Sequence, residues 1–394
     1  MEKIGGMPKR RDRDSQSQSP ACKRSRPAPK KKHLYLVLDD WEKGYSIRKI
    51  GPDDTLLPAS SGSTCTDLQD LPEPAAFRFA APANSETIFA ALGSNIVIVS
   101  SSGDHTTTEA PNPTLVYDTA AAALAVGPPL PGRLVSGLNA AVAGGDAFYA
   151  LTTLGAGFPV ALEAFSWARC TRDADEPGLP THEWSWKTVA ATSPPPFGND
   201  DDTTVVSYAV HPDGRTMFVS TRVAHGGSRR GGGGGSTYSF DTTRGEWRRH
   251  GAWVLPFRGQ GYFDRELDAW VGLDAEVPGY VCACQVASRS GGGGTASAPP
   301  ESDRLEDKLF CKGGEEGTTH LGATLTYMGD SRFCLTESVA LEDGTGDGYM
   351  ARVTTFGLKF NRKGKLQIAT SHHTANSYVL SKRMSSFYPV AFWM

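Results

Sequence analysis

The sequence predicts an all-β fold, a closed β-propeller, and three observations carry that prediction. Short strand-like runs recur as hairpins at a mean spacing near 59 residues. Gly 44 and Pro 26 make 70 of 394 residues, well above the roughly 12% of an average protein, a surplus suited to many tight turns. Apolar strand-like segments stand at both ends of the body, where a ring needs them in order to close and lose its free sheet edges.

The first segment has a different character. Residues 1–33 hold eleven Lys or Arg and three acids, a local +8, whereas the whole chain is −3. The remaining 361 residues carry 29 basic and 40 acidic groups, a net −11. With almost no large apolar residue, the tail cannot offset the entropy of ordering and is expected to be disordered, with the propeller over residues 34–394. Its basic residues are Lys9, Arg10 and Arg11, then Lys23, Arg24 and Arg26, then Lys30, Lys31 and Lys32. Import receptors read such clusters in extended chain by charge and backbone contacts, so the tail predicts an import receptor as partner and a nuclear and/or cytoplasmic location. Ser15, Ser17, Ser19 and Ser25 are placed to tune that reading by phosphorylation. A solubilising tail, or weak non-specific contact with nucleic-acid phosphates, is the alternative.

The body opens at His33 with Leu34-Tyr35-Leu36-Val37-Leu38, followed by the alternating run Tyr45 to Ile50. Five hairpins follow: Thr87 to Leu92 with Asn95 to Ser100; Leu138 to Ala143 with Ala147 to Thr152; Val205 to Val210 with Thr216 to Thr221; Gln260 to Phe263 with Ala269 to Leu273; Leu321 to Tyr327 with Arg332 to Glu337. Their turns centre near Ser94, Gly145, Asp213, Glu266 and Gly329. Each hairpin is followed by a strand ending in an aromatic near Asp and a fourth strand often carrying Trp. At 59 residues per unit the body accommodates six units, with five or seven as the margin. The sixth would be shared between the ends, Leu34 to Leu38 with Phe387 to Trp393. Ala120 to Ala125 is too short for a helix and is closed by Gly127-Pro128-Pro129. Gly-rich runs near 226–236 and 288–300 are expected as loops between strands. Neither is followed by the Lys-Ser/Thr and helix of a phosphate loop.

No run of about 18 apolar residues occurs, so no transmembrane helix and no membrane partner is expected. The N-terminus has no apolar core of a secretory signal. Seven scattered cysteines fit a reducing intracellular compartment better than a disulfide scaffold.

Catalytic chemistry finds little support. Cys282 and Cys284 share one face of a strand, but zinc pairs usually leave two to four residues between thiols and no second pair follows, so buried thiols are expected. His372 and His373 point to opposite faces. Glu342 to Gly348 lacks calcium-loop spacing and its terminal Glu. Asp200-Asp201-Asp202 reads as a solvated loop. His211-Pro212-Asp213-Gly214-Arg215 is a turn signature. No Gly-x-Ser-x-Gly elbow opens a helix, and a copper-radical site would need a Tyr, Cys and His cluster that only the fold could assemble. No catalytic, cofactor-binding or metal residue is therefore assigned, and no cofactor is expected.

Val116-Tyr117-Asp118-Thr119 and Tyr238-Ser239-Phe240-Asp241-Thr242 with Trp247 resemble kelch repeats. There the aromatic-Asp pair ends a strand and Trp packs between neighbouring blades. His33 to Ile50, with Leu36-Val37-Leu38-Asp39-Asp40-Trp41, and Leu71 to Arg78 resemble a large, uncharacterised family of kelch-like plant proteins expanded in grasses. The resemblance spans essentially the whole body and implies a fold without an activity. The kelch diglycine after the second strand is replaced, here by Thr152-Thr153.

These readings favour a non-enzymatic protein-interaction module whose loop-lined face meets a protein partner. An F-box would need roughly 40 to 50 helical residues ahead of the blades, so a role as a ubiquitin-ligase receptor would require an adaptor. The alternative is a small-ligand binder or enzyme using the central funnel. It predicts several polar or ionisable side chains converging at a mouth of the ring.

Overall fold

The computed structural model describes residues 31–40, 44–51, 68–80, 87–100, 111–141, 146–153, 158–169, 181–189, 194–197, 203–223, 234–289, 297–310, 318–341, 348–380 and 387–394. For 135–141, 318 and 370–373 it describes the backbone alone. Lys32–Met394 forms one compact unit, and no helix occurs among the described residues.

Strands follow one another in sets of four. The first elements are β1 (Leu34–Asp39), β2 (Tyr45–Ile50), β3 (Leu68–Gln69) and β4 (Phe77–Phe79). Next come β5 (Thr87–Leu92), β6 (Asn95–Ser100), β7 (Pro113–Asp118) and β8 (Ala123–Pro129), paired in that order. The pattern repeats with β9 (Arg133–Ala141), β10 (Ala147–Thr153), β11 (Ala161–Arg169) and β12 (His182–Val189). It repeats again with β13 (Thr203–Val210), β14 (Thr216–Val223), β15 (Gly235–Asp241) and β16 (Glu246–Gly251). Then follow β17 (Phe257–Asp264), β18 (Ala269–Asp274), β19 (Val281–Gln285) and β20 (Ser302–Arg304). The long strands β21 (Thr318–Gly329), β22 (Arg332–Leu341), β23 (Gly348–Phe360) and β24 (Leu366–Leu380) come next, with β3 added in parallel to β24. Finally β25 (Val390–Trp393) pairs antiparallel with β1, giving the order β25-β1-β2-β4.

That terminal pairing is the closure expected from the sequence. Leu34 faces Trp393 and Val37 faces Val390 across the ladder. The His33 and Met394 backbones exchange two further hydrogen bonds of 2.7 and 3.0 Å. Strand pairing starts only after Pro389, which has no N–H to give to a ladder, so Phe387 and Tyr388 are not part of the strand.

The core is divided between the sets. One apolar cluster joins β5–β8 to β9–β12 around Phe148 and Phe165, and another joins β9–β12 to β13–β16 around Leu151 and Phe240. Further clusters join β13–β16 to β17–β20 around Phe218 and Trp270, and β17–β20 to β21–β24 around Phe333 and Phe356. β1 explains its unbroken apolar run by facing both ways. Leu34, Leu36 and Leu38 pack toward β21–β24, whereas Tyr35 and Val37 pack toward β5–β8. Both faces of a strand are then dry, and each fully buried Leu contributes about 2 kcal/mol. The innermost strand is the first of its set, except in the closing set, where β25 takes that place: β13 runs parallel to β17, and Thr324 and Thr326 of β21 donate to the carbonyls of Pro389 and Ala391. The arrangement is β-propeller-like.

One expectation needs adjustment. The Gly-rich run near 226–236 does not remain loop to its end, because Gly235 and Ser236 already pair with Arg222 and Thr221 at the start of β15. Gly235 is suited to this, since a Cβ there would collide with the Val254 side chain. The run near 288–300 falls between β19 and β20 as expected, and its described residues, 288–289 and 297–300, are not in strand.

Candidate functional site

Among the described residues, two openings lead into the space between the innermost strands. The first is surrounded by hairpin turns. The turn between β13 and β14 is built as its sequence requires, with Gly214 at φ 70° and the Asp213 carboxylate accepting from the backbone N–H of Arg215 and Thr216 and from the Thr216 hydroxyl. Arg289 adds an ion pair to Asp213 at 2.8 Å. Burial opposes ionisation of Asp213, but the donated hydrogen bonds outweigh it and hold the carboxyl down to about 2.

The aromatic-Asp-Thr sites repeat a single arrangement. The Thr119 hydroxyl and N–H both donate to the Ser94 carbonyl, while the Ala120 N–H donates to Asp118. The Thr242 hydroxyl and N–H both donate to the Arg215 carbonyl, while the N–H groups of Thr243 and Arg244 donate to Asp241. In each case the end of a third strand is pinned to the first hairpin turn of its own set. Trp247 packs against the cluster between β9–β12 and β13–β16, and the Trp186 indole N–H donates to Thr114 across the preceding boundary.

The turn-lined opening encloses about 1620 Å³. Asp118, Asp146, Asp213 and Asp330 lie on it, with Arg265 and His211. On one side it extends into an apolar wall made by Leu124 of β8 and by Trp167 and Trp184, directly opposite each other on β11 and β12. Trp167 is 52% exposed and Leu124 45%. Trp184 stacks on Phe165 at 5.1 Å and meets Trp167 edge-on at 5.4 Å, so the exposed indole is held from behind. Gly127 lets β8 approach this pair, since a Cβ there would meet the Phe165 ring at 3.0 Å.

The second opening, at the other end of the inner strands, encloses about 670 Å³ and is lined by Arg258, Gln260, Lys308, His320, Phe310 and Tyr388 among others. His320 lies on Phe310 at 3.9 Å. Burial and the neighbouring Lys308 lower the His320 pKa, so at neutral pH its ring is uncharged. Polar and ionisable side chains thus do converge at this mouth, which the funnel-ligand alternative required.

The residues singled out from the sequence have mixed fates. Cys282 and Cys284 share one face as expected and are buried with Phe218 and Trp270, the Cys284 thiol pushed up to about 12 by burial. Cys334 is also fully buried, and none of these three thiols lines either opening. His372 and His373 lie on β24, where only the backbone is described. His211 serves its turn, its Nδ1 accepting from the Asp213 N–H. Lys31 and Lys32 lead into β1, whereas Lys9, Arg10, Arg11, Lys23, Arg24, Arg26 and Lys30 lie outside the described residues, as do Trp41, Asp200–Asp202 and Glu342–Asp347. Among the described residues no group of three or more His, Cys, Asp or Glu is placed to hold a metal ion. Sequence reasoning missed both openings. Their residues come from distant strands, and the available signal was the surplus of Trp at 167, 184 and 186 within one set.

The fold is similar to solved structures at low identity, each of them a β-propeller. TolB from Acinetobacter baumannii aligns at 11% identity and TM-score 0.41, covering 89% of this chain and 66% of that one. This chain therefore spans just under two thirds of the length of TolB. The periplasmic gluconolactonase of Pseudomonas aeruginosa aligns at 11% and 0.40, covering 91% and 99%, and YCF48 from Cyanidioschyzon merolae at 12% and 0.32, covering 85% and 91%. No curated protein matches the sequence. The family described as protein of unknown function (DUF1668) matches residues 31–376, and the chain belongs to it.

Proposed function

We propose that this DUF1668 protein is a six-bladed, kelch-like propeller that works as a non-enzymatic interaction module, docking a partner protein on its turn-lined face. The closing blade in this reading is β25-β1-β2-β4. The observation that carries the proposal is the exposed Trp167, braced by Trp184 and set beside Leu124 at the edge of an opening with four aspartates. Exposed aromatic anchors with polar surroundings are typical of interface hot spots. The partner fitting this surface presents an apolar or aromatic side chain flanked by Lys or Arg. The basic tail, through Lys9 to Lys32, directs the protein to the nucleus by way of an import receptor.

The test is quantitative affinity capture from cell extract with the full chain, the Trp167→Ala variant and a chain starting at His33. A reproducible partner recovered with the full chain and lost with Trp167→Ala is expected. Equal recovery by both would remove the surface from consideration. Identical nuclear and cytoplasmic distribution of the full chain and the shortened one would end the targeting proposal.

A further inference from the structure

The smaller opening has a chemistry unlike that of the turn-lined face. Its volume of about 670 Å³ lies within the range of small-molecule sites, roughly 300–1,000 Å³. Two cations, Arg258 at the start of β17 and Lys308 after β20, line it. Among the described residues neither takes part in a salt bridge or a side-chain hydrogen bond. The acid in the lining, Asp274, is already engaged by Arg304 at 2.7 Å. Glu337 sits behind the His320 ring, 3.6 Å from its Nε2, fully buried and outside the lining. Among the described residues, the net charge facing the cavity is therefore positive.

The apolar part of the wall is fixed beside those cations. The Lys308 stem crosses Gly279, where a Cβ would come within 2.7 Å of its Cε and 3.0 Å of the Phe310 ring. Phe310 in turn carries His320. Tyr388 lies against Gly322, whose missing side chain makes room for the ring. Phe89, Tyr208, Tyr262 and Phe392 add to the aromatic lining. We propose that this cavity binds a small organic anion with an aromatic-sized apolar body. Arg258 and Lys308 take the carboxylate, sulfonate or phosphate group, and the body lies among Phe310, Tyr388 and Tyr262. The site lies at the other end of the inner strands from the Trp167 wall, with Gln260 and Tyr262 bordering both openings.

The probes are anilinonaphthalene sulfonate and phenyl-naphthylamine, two fluorescent molecules with similar apolar bodies, only the first of them charged. Titration of the full chain is expected to show one saturable site that prefers the anion by roughly tenfold or more, the scale of one charge-assisted contact. Arg258→Gln and Lys308→Met should each remove most of that preference. Both side chains are exposed, so the unfolding midpoints of these variants should stay at the parent value. Phenylacetate should displace the anionic probe, and inorganic phosphate alone should not. Several weak sites, equal affinity for both probes, unchanged binding by the two variants, or displacement by phosphate alone would each overturn the proposal.

Discussion

Ser331 donates both its backbone N–H, at 3.0 Å, and its hydroxyl, at 2.8 Å, to the carboxylate of Asp264, 67 residues earlier in the chain. Asp264 is fully buried and also accepts from the backbone N–H of Glu266 and Leu267. One carboxylate thus closes the turn after β17 and ties it to the turn after β21. Ser331 itself stands at φ 53°, a conformation that side chains disfavour.

Asp264→Ala is therefore expected to cost about 3 kcal/mol, because several buried donors lose a charged acceptor together. Ser331→Gly should cost less than Ser331→Ala, since glycine recovers part of the loss by relieving the positive φ. Urea midpoints of the three variants check both the size and the order. A mild effect of Asp264→Ala would show that the two turns are held by other contacts.

Gly272 lies under Phe257, and a Cβ there would stand 2.6 Å from the Phe257 Cβ and Cγ. Phe257 is fully buried and cannot swing away. Gly272→Ala should destabilise the protein by about 2 kcal/mol, the usual range for overpacking a core. Gly322→Ala should cost less, because the obstructing Tyr388 ring is 43% exposed and can move. Thermal unfolding of the pair measures the difference.

His250 is buried, 2.8 Å from the Ser239 hydroxyl and 4.8 Å from the centre of the Phe218 ring. Burial, helped by Arg248, lowers its pKa from 6.5 to about 4. Between those values the unfolded chain takes up a proton that the folded protein refuses, so stability falls as pH drops from 6.5 toward 4. Replacement by Phe should flatten that part of the stability profile. Denaturation midpoints of both proteins across this interval decide it, and parallel profiles would contradict the assignment.

Ending the chain after Pro389 removes β25, leaving β1 paired on the β2 side only and Thr326 without the Ala391 carbonyl. The expected outcome is a lower, less cooperative unfolding transition and self-association through the exposed edges. Scattering and calorimetry would report both. A truncated protein that melts like the full chain would mean that closure adds little to stability.

Much of the strand framework was legible because its signals are local. The strand pairs of the five hairpins are present where their alternation indicated them, the turn near Gly145 lying outside the described residues, and His211 to Arg215 formed the expected turn. The aromatic-Asp-Thr pattern marked strand ends correctly, since an Asp carboxylate can satisfy N–H groups two and three residues ahead without distant help. β3 and β4 escaped notice. They are two and three residues long, and they exist only because a neighbouring strand offers them an edge.

By itself the sequence determined the all-β class, the spacing of its hairpins, the pairing of its two ends and the charge division between tail and body, because each depends on short-range pattern or on composition. Only the tertiary structure decided where chemistry collects. Arg258, Lys308 and His320 are brought to one cavity, and Leu124, Trp167 and Trp184 to one wall, by strands from different parts of the chain. Their proximity follows from closing the sheets around a common centre, and no spacing along the chain encodes it.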